Sequence, residues 1–286
     1  MTSIPTPKAA GGPRPSMARR TLLRAAGAAS LCALPQAWAQ QSLGSRLLVN
    51  EAVTADFSIS MLASRYRGWA DYIAPVVRAR QVLVDPVIDI RRFVQQAQAD
   101  DKPLLVYGKS VNQLSKLVRD HGYQPLVRRA DPYRAAFIVP NGSLIQSFAQ
   151  LSGRKLLMPD ESSATAAVAK AEVRRQNVTP YISHTRFQDS VAAQVAAGAA
   201  DAGVVNPTVA RKWKDGGGTV LGETQPVVNW SVLASPKAPA ELVARLTESL
   251  LAMNNQSPAI LADIGVKEWR KADRKEYLAL LEYTGE

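Results

Sequence analysis

Along residues 181–207, hydrophobic residues first alternate with polar ones, then recur every fourth position, and finally form a short continuous run. This pattern predicts a strand, a helix and a second strand. Phe187, Val191 and Val195 recur every four residues, which places them on one face of a helix. Gly198 follows, where the end of a helix commonly needs a residue with positive φ. A short apolar run then closes the segment and is typical of a buried parallel strand. The segment as a whole predicts a βαβ unit.

The same alternation continues over most of the chain. Asp85 and Pro86 are expected to end the second predicted strand, and Asn141 to begin a helix that reaches Leu151. Repeated strand–helix alternation predicts an α/β fold with mainly parallel sheets. The predicted strands or extended runs cover 46–50, 81–84, 104–107, 123–128, 134–139, 155–158, 181–183, 202–205, 219–221 and 229–234, and the longest predicted helices cover 56–79, 141–151, 165–176, 187–197 and 240–253.

The first 39 residues have the order of features found in an exported precursor. Arg19 and Arg20 precede one polar and two apolar residues, which is the twin-arginine pattern. A short alanine-rich segment follows, and Ala37-Trp38-Ala39 supplies a small-x-small cleavage site. Residues 1–39 are therefore predicted to be a cleavable twin-arginine-type signal peptide, with the twin-arginine export machinery as partner.

Cysteine usage agrees with export. Cys32 is the only cysteine and lies inside the predicted signal peptide, so the mature chain has no thiol and no disulfide. Leu31 stands where a lipidation site needs a small residue, which makes a lipoprotein the weaker alternative. The start remains open between Met1 and Met17. No later stretch is long and apolar enough to cross a bilayer, so a soluble periplasmic protein is expected.

The charge of the chain bears on its partners. The formal net charge is +11, and the predicted signal peptide holds five basic residues and no acidic one, which leaves +6 for the remainder. A charge of +6 is compatible with a small anionic ligand and equally with plain solubility. No basic stripe is interleaved with aromatic residues, so no nucleic acid partner is expected.

Residues 183–206 read S-H-T-R-F-Q-D-S-V-A-A-Q-V-A-A-G-A-A-D-A-G-V-V-N. This segment resembles the second lobe of type II periplasmic solute-binding proteins, most of all the phosphonate/phosphite/phosphate-binding branch that serves ABC transporters. The resemblance extends more loosely over residues 46–286. It implies a two-lobed periplasmic-binding-protein type II fold of the α/β class, in which each lobe is a mainly parallel sheet flanked by helices.

The resemblance also implies an organisation and a function. Lobe 1 would comprise residues 46–137 plus 230–286, and lobe 2 residues 138–229, with hinge motion at the two crossings. The protein would be a monomer that captures a small oxyanion (phosphonate-, phosphate- or sulfonate-like) between the lobes and delivers it to an ABC transporter permease. Two alternatives stay open, namely ligand sensing for a membrane receptor and binding of a zwitterionic or cationic solute.

Two loops of the second lobe carry the first candidate ligand-binding residues, because ligands of open α/β sheets bind beyond the carboxyl ends of strands. Ser162, Ser163 and Thr165 stand at the predicted start of a helix, whose free N–H groups and partial positive charge favour an oxyanion. An ordinary helix cap would use the same residue types. The family resembled has a ligand-side histidine at the position of His184, whereas Arg186 is open between binding and solvation.

Further candidates are Tyr107 and Lys109 beyond the third strand, Glu51 beyond the first, and Asn206 at the end of the βαβ unit. Lys109 is either a counter-charge for an anion or an exposed turn residue. The family resembled usually has Gly-Pro and an aromatic residue there, so the chain departs from its pattern. The carboxylates Glu51, Asp160 and Glu161 disfavour a doubly charged anion, and this keeps the zwitterionic or cationic solute open.

Catalysis finds little support in the sequence. The predicted mature chain contains no cysteine nucleophile, no Gly-x-Ser-x-Gly elbow and no phosphate loop. The two histidines, His121 and His184, are far apart and no His/Cys cluster surrounds them, so neither a metal nor a cofactor is expected. The sequence therefore predicts a binding protein that is not an enzyme.

Overall fold

The computed structural model describes residues 45–51 and 58–286, so the predicted signal peptide lies outside the described residues. The described strands are β1 (Arg46–Asn50), β2 (Leu83–Val87), β3 (Leu105–Gly108), β4 (Gln124–Arg129), β5 (Ala136–Val139), β6 (Lys155–Met158), β7 (Tyr181–His184), β8 (Ala202–Val205), β9 (Thr219–Glu223), β10 (Ser231–Ala234) and β11 (Trp269–Lys271).

Five of the nine described helices begin at side-chain caps that the sequence supplies. The nine described helices are α1 (Ile59–Val76), α2 (Ile90–Gln98), α3 (Val111–Asp120), α4 (Ala164–Arg175), α5 (Gln188–Ala196), α6 (Pro207–Asp215), α7 (Ala240–Gln256), α8 (Pro258–Asp263) and α9 (Arg274–Thr284). Side-chain oxygens cap α1, α2, α4, α6 and α9 by accepting a backbone N–H of the first turn, from Ser58, Asp89, Ser163, Asn206 and Asp273 respectively. Among the described helices, none is long and apolar enough to cross a membrane.

The strands form two sheets, with the order β2-β1-β3-β10-β4-β11 in the six-stranded sheet and β7-β6-β8-β5-β9 in the five-stranded sheet. Both sheets are mixed, where mainly parallel sheets were predicted. β1 pairs in parallel with β2 and β3, and β6 with β7 and β8. β10 and β5 are antiparallel to all their neighbours. These are the two strands that the chain enters directly from the other sheet, without a helical crossover that would make them parallel.

The two connections between the sheets run side by side. Residues 130–135 lead from β4 to β5, and residues 224–230 lead from β9 back to β10. Tyr133 and Val227 exchange both backbone hydrogen bonds, with N···O distances of 2.9 and 3.0 Å. The lobe boundaries implied by the resemblance stay a prediction.

Local chemistry explains where the observed elements differ from the predicted ones. The helix predicted from Asn141 to Leu151 is wrong, because only Phe148–Leu151 form a short 3₁₀ turn. Gly142 has φ +71 and the Ser143 hydroxyl accepts the N–H of Ile145, so a turn competes with the helix. Pro86 lies within β2 rather than ending it, which is possible because β2 is an edge strand.

One hydrophobic cluster is continuous between the two sheets. It joins strands of the six-stranded sheet to helix α4, which follows a strand of the five-stranded sheet, and helices α3 and α9 pack between them. Its fully buried members include Leu48, Val106, Leu114, Leu117, Val118, Tyr277, Leu280, Phe137, Leu156, Ala166, Val168, Ala169 and Val204.

Candidate functional site

A cavity of about 40 Å³ lies where loops of the two sheets face each other, and this is room for roughly three waters. One wall is the loop after β2, and the other is formed by the loops after β6 and β7. All three loops follow carboxyl ends of parallel strands, as predicted for a ligand site of an α/β sheet. The lining residues are Ile88, Asp89, Ile90, Pro159, Asp160, Ser163, Arg186, Phe187 and Gln188.

The start of α4 forms the polar end of this cavity. The Ser163 hydroxyl accepts the N–H of Ala166 at 3.2 Å, and an Asp160 carboxylate oxygen accepts the N–H of Ser162 at 2.8 Å. The first N–H groups of a helix have no partner within the helix, so those of Ala164 and Thr165 point out of its end. Of the three predicted hydroxyl residues at this helix start, Ser163 lines the cavity, whereas Ser162 and Thr165 are not among its lining residues.

Thr165 is buried and is held by residues that sequence reasoning missed. Its hydroxyl receives the Gln188 amide N–H at 2.8 Å and shares a short hydrogen bond with the hydroxyl of Tyr133. Burial raises the pKa of Tyr133 to about 12, so its phenol stays protonated. The Gln188 carbonyl oxygen in turn accepts the backbone N–H of Asn206 at 3.0 Å. Gln188 thereby fixes the starts of α4 and α6 relative to each other.

Asn206 itself is placed at the start of α6. Its side-chain oxygen accepts the N–H of Val209 at 2.9 Å, which is the geometry of a helix cap. The residue is partly buried. A position after an apolar strand and before a proline is the signal of such a cap, and the sequence contains it.

His184 ends β7, an edge strand whose residues are exposed. Its Nδ1 lies 2.8 Å from the carbonyl oxygen of Pro159. Because a carbonyl oxygen only accepts, Nδ1 carries the proton, and the neutral ring then presents Nε2 as an acceptor. Donation from Nε2 to an oxyanion requires the protonated ring.

Glu51 and Lys109 form a buried charge cluster beyond the ends of β1 and β3. The Glu51 carboxylate receives Arg65 Nη1 at 2.9 Å, the Tyr66 hydroxyl at 2.6 Å and the ammonium group of Lys109. Burial acts to raise the pKa of Glu51, but Lys109, Tyr66 and Arg65 together hold that pKa below its ordinary value of 4.5. The carboxylate that disfavoured a doubly charged anion is thus neutralised, and Lys109, the possible counter-charge for an anion, is already paired with it.

Trp230 connects this cluster to the two inter-sheet connections. The Lys109 ammonium lies 4.0 Å from the centre of the Trp230 ring, and the Arg129 guanidinium 4.5 Å from it. Arg129 also pairs with Asp131 at 3.2 Å. The Asn229 amide donates to the backbone carbonyl of Asp131 at 2.9 Å.

Tyr107, another predicted ligand-binding residue, lies away from the cavity. Its side chain is fully buried among Tyr66, Trp69 and Trp269, with ring centres 5.4 to 6.0 Å apart. Burial raises the pKa of Tyr107 far above its ordinary value. The structure therefore places this candidate in the hydrophobic core and not on the cavity.

The two sides of the site touch through side chains that the sequence did not single out. The carbonyl oxygen of Ser162 accepts Asn112 Nδ2 at 3.2 Å and Gln113 Nε2 at 3.1 Å. Both donors are in the first turn of α3. Helix α3 of one side thus contacts the loop that opens α4 of the other.

Ser163 is the one predicted ligand-binding residue among those that line this cavity, and the lining does not include Ser162, Thr165, His184, Asn206, Tyr107, Lys109 or Glu51. Two further residues singled out in the sequence also lie outside the cavity. Glu161 is exposed and pairs with Lys170 at 2.8 Å. His121 lies at the end of α3, where its Nε2 is 3.1 Å from Gln98 Nε2. Among the described residues, no group of three or more His, Cys, Asp or Glu side chains could hold a metal ion.

Comparisons with known proteins identify the family and the fold. A family model described as "ABC transporter, phosphonate, periplasmic substrate-binding protein" matches residues 52–277. No curated protein matches the chain significantly.

Several solved structures share the fold. PhnD1 from Prochlorococcus marinus, in complex with methylphosphonate, is 17% identical, with 84% of this chain and 97% of that chain covered and a TM-score of 0.67. A Xanthomonas citri protein bound to ATP is 17% identical, with 84% and 97% covered and a TM-score of 0.70. The aliphatic sulphonate binding protein SsuA of Escherichia coli is 12% identical, with 83% and 78% covered and a TM-score of 0.54. The predicted two-lobed α/β fold is confirmed.

Proposed function

Because the chain belongs to the periplasmic substrate-binding proteins of phosphonate ABC transporters, we propose that it captures a small oxyanion at the start of α4. This membership confirms the resemblance predicted from residues 183–206. As a family member the protein is the substrate-binding component of a transporter, works with a membrane permease and has a periplasmic location. Ligand sensing for a receptor is not favoured.

The start of α4 is the observation that carries the proposal. Ser163 lies on the cavity together with the unsatisfied end of the helix, and Ser162 and Thr165 stand beside it. Aligned peptide dipoles give such an end a partial positive charge, and its N–H groups match the oxygens of a phosphonate, phosphate or sulfonate. We assign Ser162, Ser163, Thr165 and His184 to the ligand.

The charge cluster of the other sheet has a supporting part in this proposal. The Glu51 carboxylate binds both Lys109 and Arg65 and so holds the Lys109 ammonium group in place beyond the end of β3. Asn206 supports the site through Gln188, and Tyr107 belongs to β3, the strand that leads to Lys109.

The test is ligand binding by the mature protein, measured by calorimetry with methylphosphonate. Ser163→Gly removes the hydroxyl and keeps an acceptable helix cap, and His184→Ala removes the ring. A charge-assisted hydrogen bond contributes about 1.5–3 kcal/mol, so each change should weaken affinity roughly ten- to hundredfold. His121→Ala is the control and should leave affinity unchanged.

The natural ligand is identified by mass spectrometry of the small molecule released from protein purified natively from its own periplasm. Recovery of an oxyanion supports the proposal. Recovery of an uncharged or purely cationic compound would refute the proposed oxyanion ligand and would leave the family membership unaffected. We also propose that the protein is a monomer without catalytic activity, and unchanged recovery of the ligand after incubation is the check on the latter.

Export is proposed to use the twin-arginine pathway. The mature chain should begin at Gln40, after the cleavage site at Ala37–Ala39. Changing Arg19 and Arg20 together to lysine should leave the precursor in the cytoplasm. N-terminal sequencing of the periplasmic protein is the measurement, and retention of Met1 or Met17 would contradict a cleaved signal.

A further inference from the structure

Arg186 is a cationic side chain on the wall of the cavity. It lies in the loop after β7 and lines the same cavity as Ser163 at the start of α4. Its guanidinium carbon is 5.2 Å from the centre of the Phe187 ring, so the ring face supports it. The loop places this cation on the same side of the cleft as the proposed oxyanion site.

Arg186 differs from the cationic side chains across the cleft in that those side chains are paired with carboxylates. Arg65 and Lys109 both bind the Glu51 carboxylate, and Arg129 binds Asp131. Within residues 45–51 and 58–286, no carboxylate oxygen lies within 4.0 Å of the Arg186 guanidinium. Its fork of N–H donors therefore remains available to a molecule in the cavity.

The two carboxylates of the cavity wall are already engaged with backbone. Asp89 caps α2 by accepting the N–H of Arg92 at 2.8 Å. Asp160 accepts the N–H of Ser162 at 2.8 Å. Each carboxylate thus has a structural partner, whereas the Arg186 guanidinium has an aromatic ring and, in the part of the chain that the structure describes, no hydrogen-bond acceptor.

We infer that Arg186 determines specificity by binding a second acidic group of the ligand. The inference rests on the proposed function, in which the first acidic group lies at the start of α4. Arginine presents two parallel N–H donors that match a carboxylate or a phosphate, and such paired contacts are stronger than single ones. The ligand class is therefore a phosphonate or phosphate ester that also carries a carboxylate or second phosphate on a short aliphatic spacer. Ile88, Ile90 and Phe187 supply the apolar wall for that spacer.

Calorimetry on the full mature chain with three probes tests the inference. Methylphosphonate has one acidic group, phosphonoacetate has a second one, and 2-aminoethylphosphonate has an amine in its place. Phosphonoacetate should bind about ten- to hundredfold more tightly than methylphosphonate. Arg186→Gln should abolish this preference and leave the methylphosphonate affinity within about threefold of wild type.

Two further variants sharpen the result. Arg186→Lys keeps the charge and loses the fork, so it should retain only part of the preference. Arg154→Gln removes an exposed arginine at the other end of the same sheet and should change neither affinity. Equal melting temperatures of the four proteins exclude a folding defect.

Three outcomes overturn the inference while methylphosphonate still binds. In the first, the wild type binds methylphosphonate and phosphonoacetate with equal affinity. In the second, Arg186→Gln keeps the preference for phosphonoacetate unchanged. In the third, 2-aminoethylphosphonate binds most tightly, which would mean that Asp89 or Asp160 binds an amine. Failure of the wild type to bind any of the three probes refutes the proposed function itself, and the inference with it.

Discussion

At the scale of single residues, Glu51 shows how a buried carboxylate is kept ionised. Its side chain is 2% exposed, and its two oxygens receive Arg65, Tyr66 and Lys109. Burial of one unpaired charge is far more costly than burial of a matched pair. The contacts with Arg65, Tyr66 and Lys109 therefore act together to keep the buried Glu51 carboxylate ionised.

Glu51→Gln should lower the free energy of unfolding by about 3–5 kcal/mol, because the largely buried ammonium group of Lys109 would lose the carboxylate that neutralises it. Urea denaturation at neutral pH measures the change. A double variant, Glu51→Gln with Lys109→Met, should recover part of the loss because one buried cation is removed. An unchanged urea midpoint for Glu51→Gln would contradict the stabilising role of the cluster.

The pH dependence of stability follows from the same carboxyl. Its folded pKa lies below the ordinary 4.5, so its contribution is complete above about pH 4.5 and is lost as the pH falls through the folded pKa. Between pH 7 and pH 3, wild type should therefore lose more stability than Glu51→Gln, whose side chain does not titrate. Urea midpoints measured across this range give the comparison, and parallel curves would refute it.

At the scale of elements, the contact of α5 with β8 depends on the absence of a side chain. A Cβ on Gly203 would lie 2.6 Å from Val191 Cγ1 and 2.8 Å from Val195 Cγ2. The helix must therefore lie directly on the strand backbone. Because α5 begins at Gln188, its position also fixes the amide that holds Thr165.

Gly203→Ala should push α5 away and lower stability by about 1–3 kcal/mol, with weaker methylphosphonate binding as Gln188 moves. Gly68→Ala is the matched control. Gly68 occupies an exposed position of α1 with no atom within 4 Å of the added Cβ, and the change to alanine should raise stability by about 0.5–1 kcal/mol. Thermal unfolding measures the stability of both variants, and calorimetry measures their affinity for methylphosphonate. Equal stability and equal affinity of the two variants would contradict the close packing of α5 on β8.

Local patterns predicted elements well where one face of a helix or a whole strand is apolar. The β7–α5–β8 unit and the positive φ of Gly198, which is +73, were predicted from such patterns. The pairing of Glu51 with Lys109 could not be predicted, because the two residues are 58 positions apart and meet only through the register of β1 with β3. Gln188 was missed for a similar reason, since its partners stand at the starts of two other helices.

At the scale of the whole molecule, the sheets are joined by two chain connections, by the shared hydrophobic cluster and by side-chain hydrogen bonds, which include those from α3 to the loop before α4. Asn112 and Gln113 donate to the carbonyl of Ser162 across the site. These bonds form only when the two sides are close. They therefore favour a closed cleft over an open one.

Replacing both Asn112 and Gln113 by alanine should increase the radius of gyration of the ligand-free protein in small-angle scattering. A net contribution of about 0.5–1.5 kcal/mol for each hydrogen bond corresponds to roughly five- to hundredfold weaker methylphosphonate binding. Saturating methylphosphonate should restore the compact form. Gln81→Ala, an exposed glutamine away from these contacts, is the control and should match wild type. Identical scattering of wild type and double variant would refute a role in closure.

The hydrophobic cluster shared by the two sheets has a consequence for cooperativity. Val168 of α4 and Leu117 of α3 belong to one core, so the five-stranded sheet cannot unfold without exposing apolar surface of the other part of the molecule. The described part of the chain should therefore melt in a single calorimetric transition, with equal van't Hoff and calorimetric enthalpies. For the same reason, a fragment cut at the two connections would carry the bare apolar face of α4 and aggregate, so that neither half of the molecule is a unit of folding.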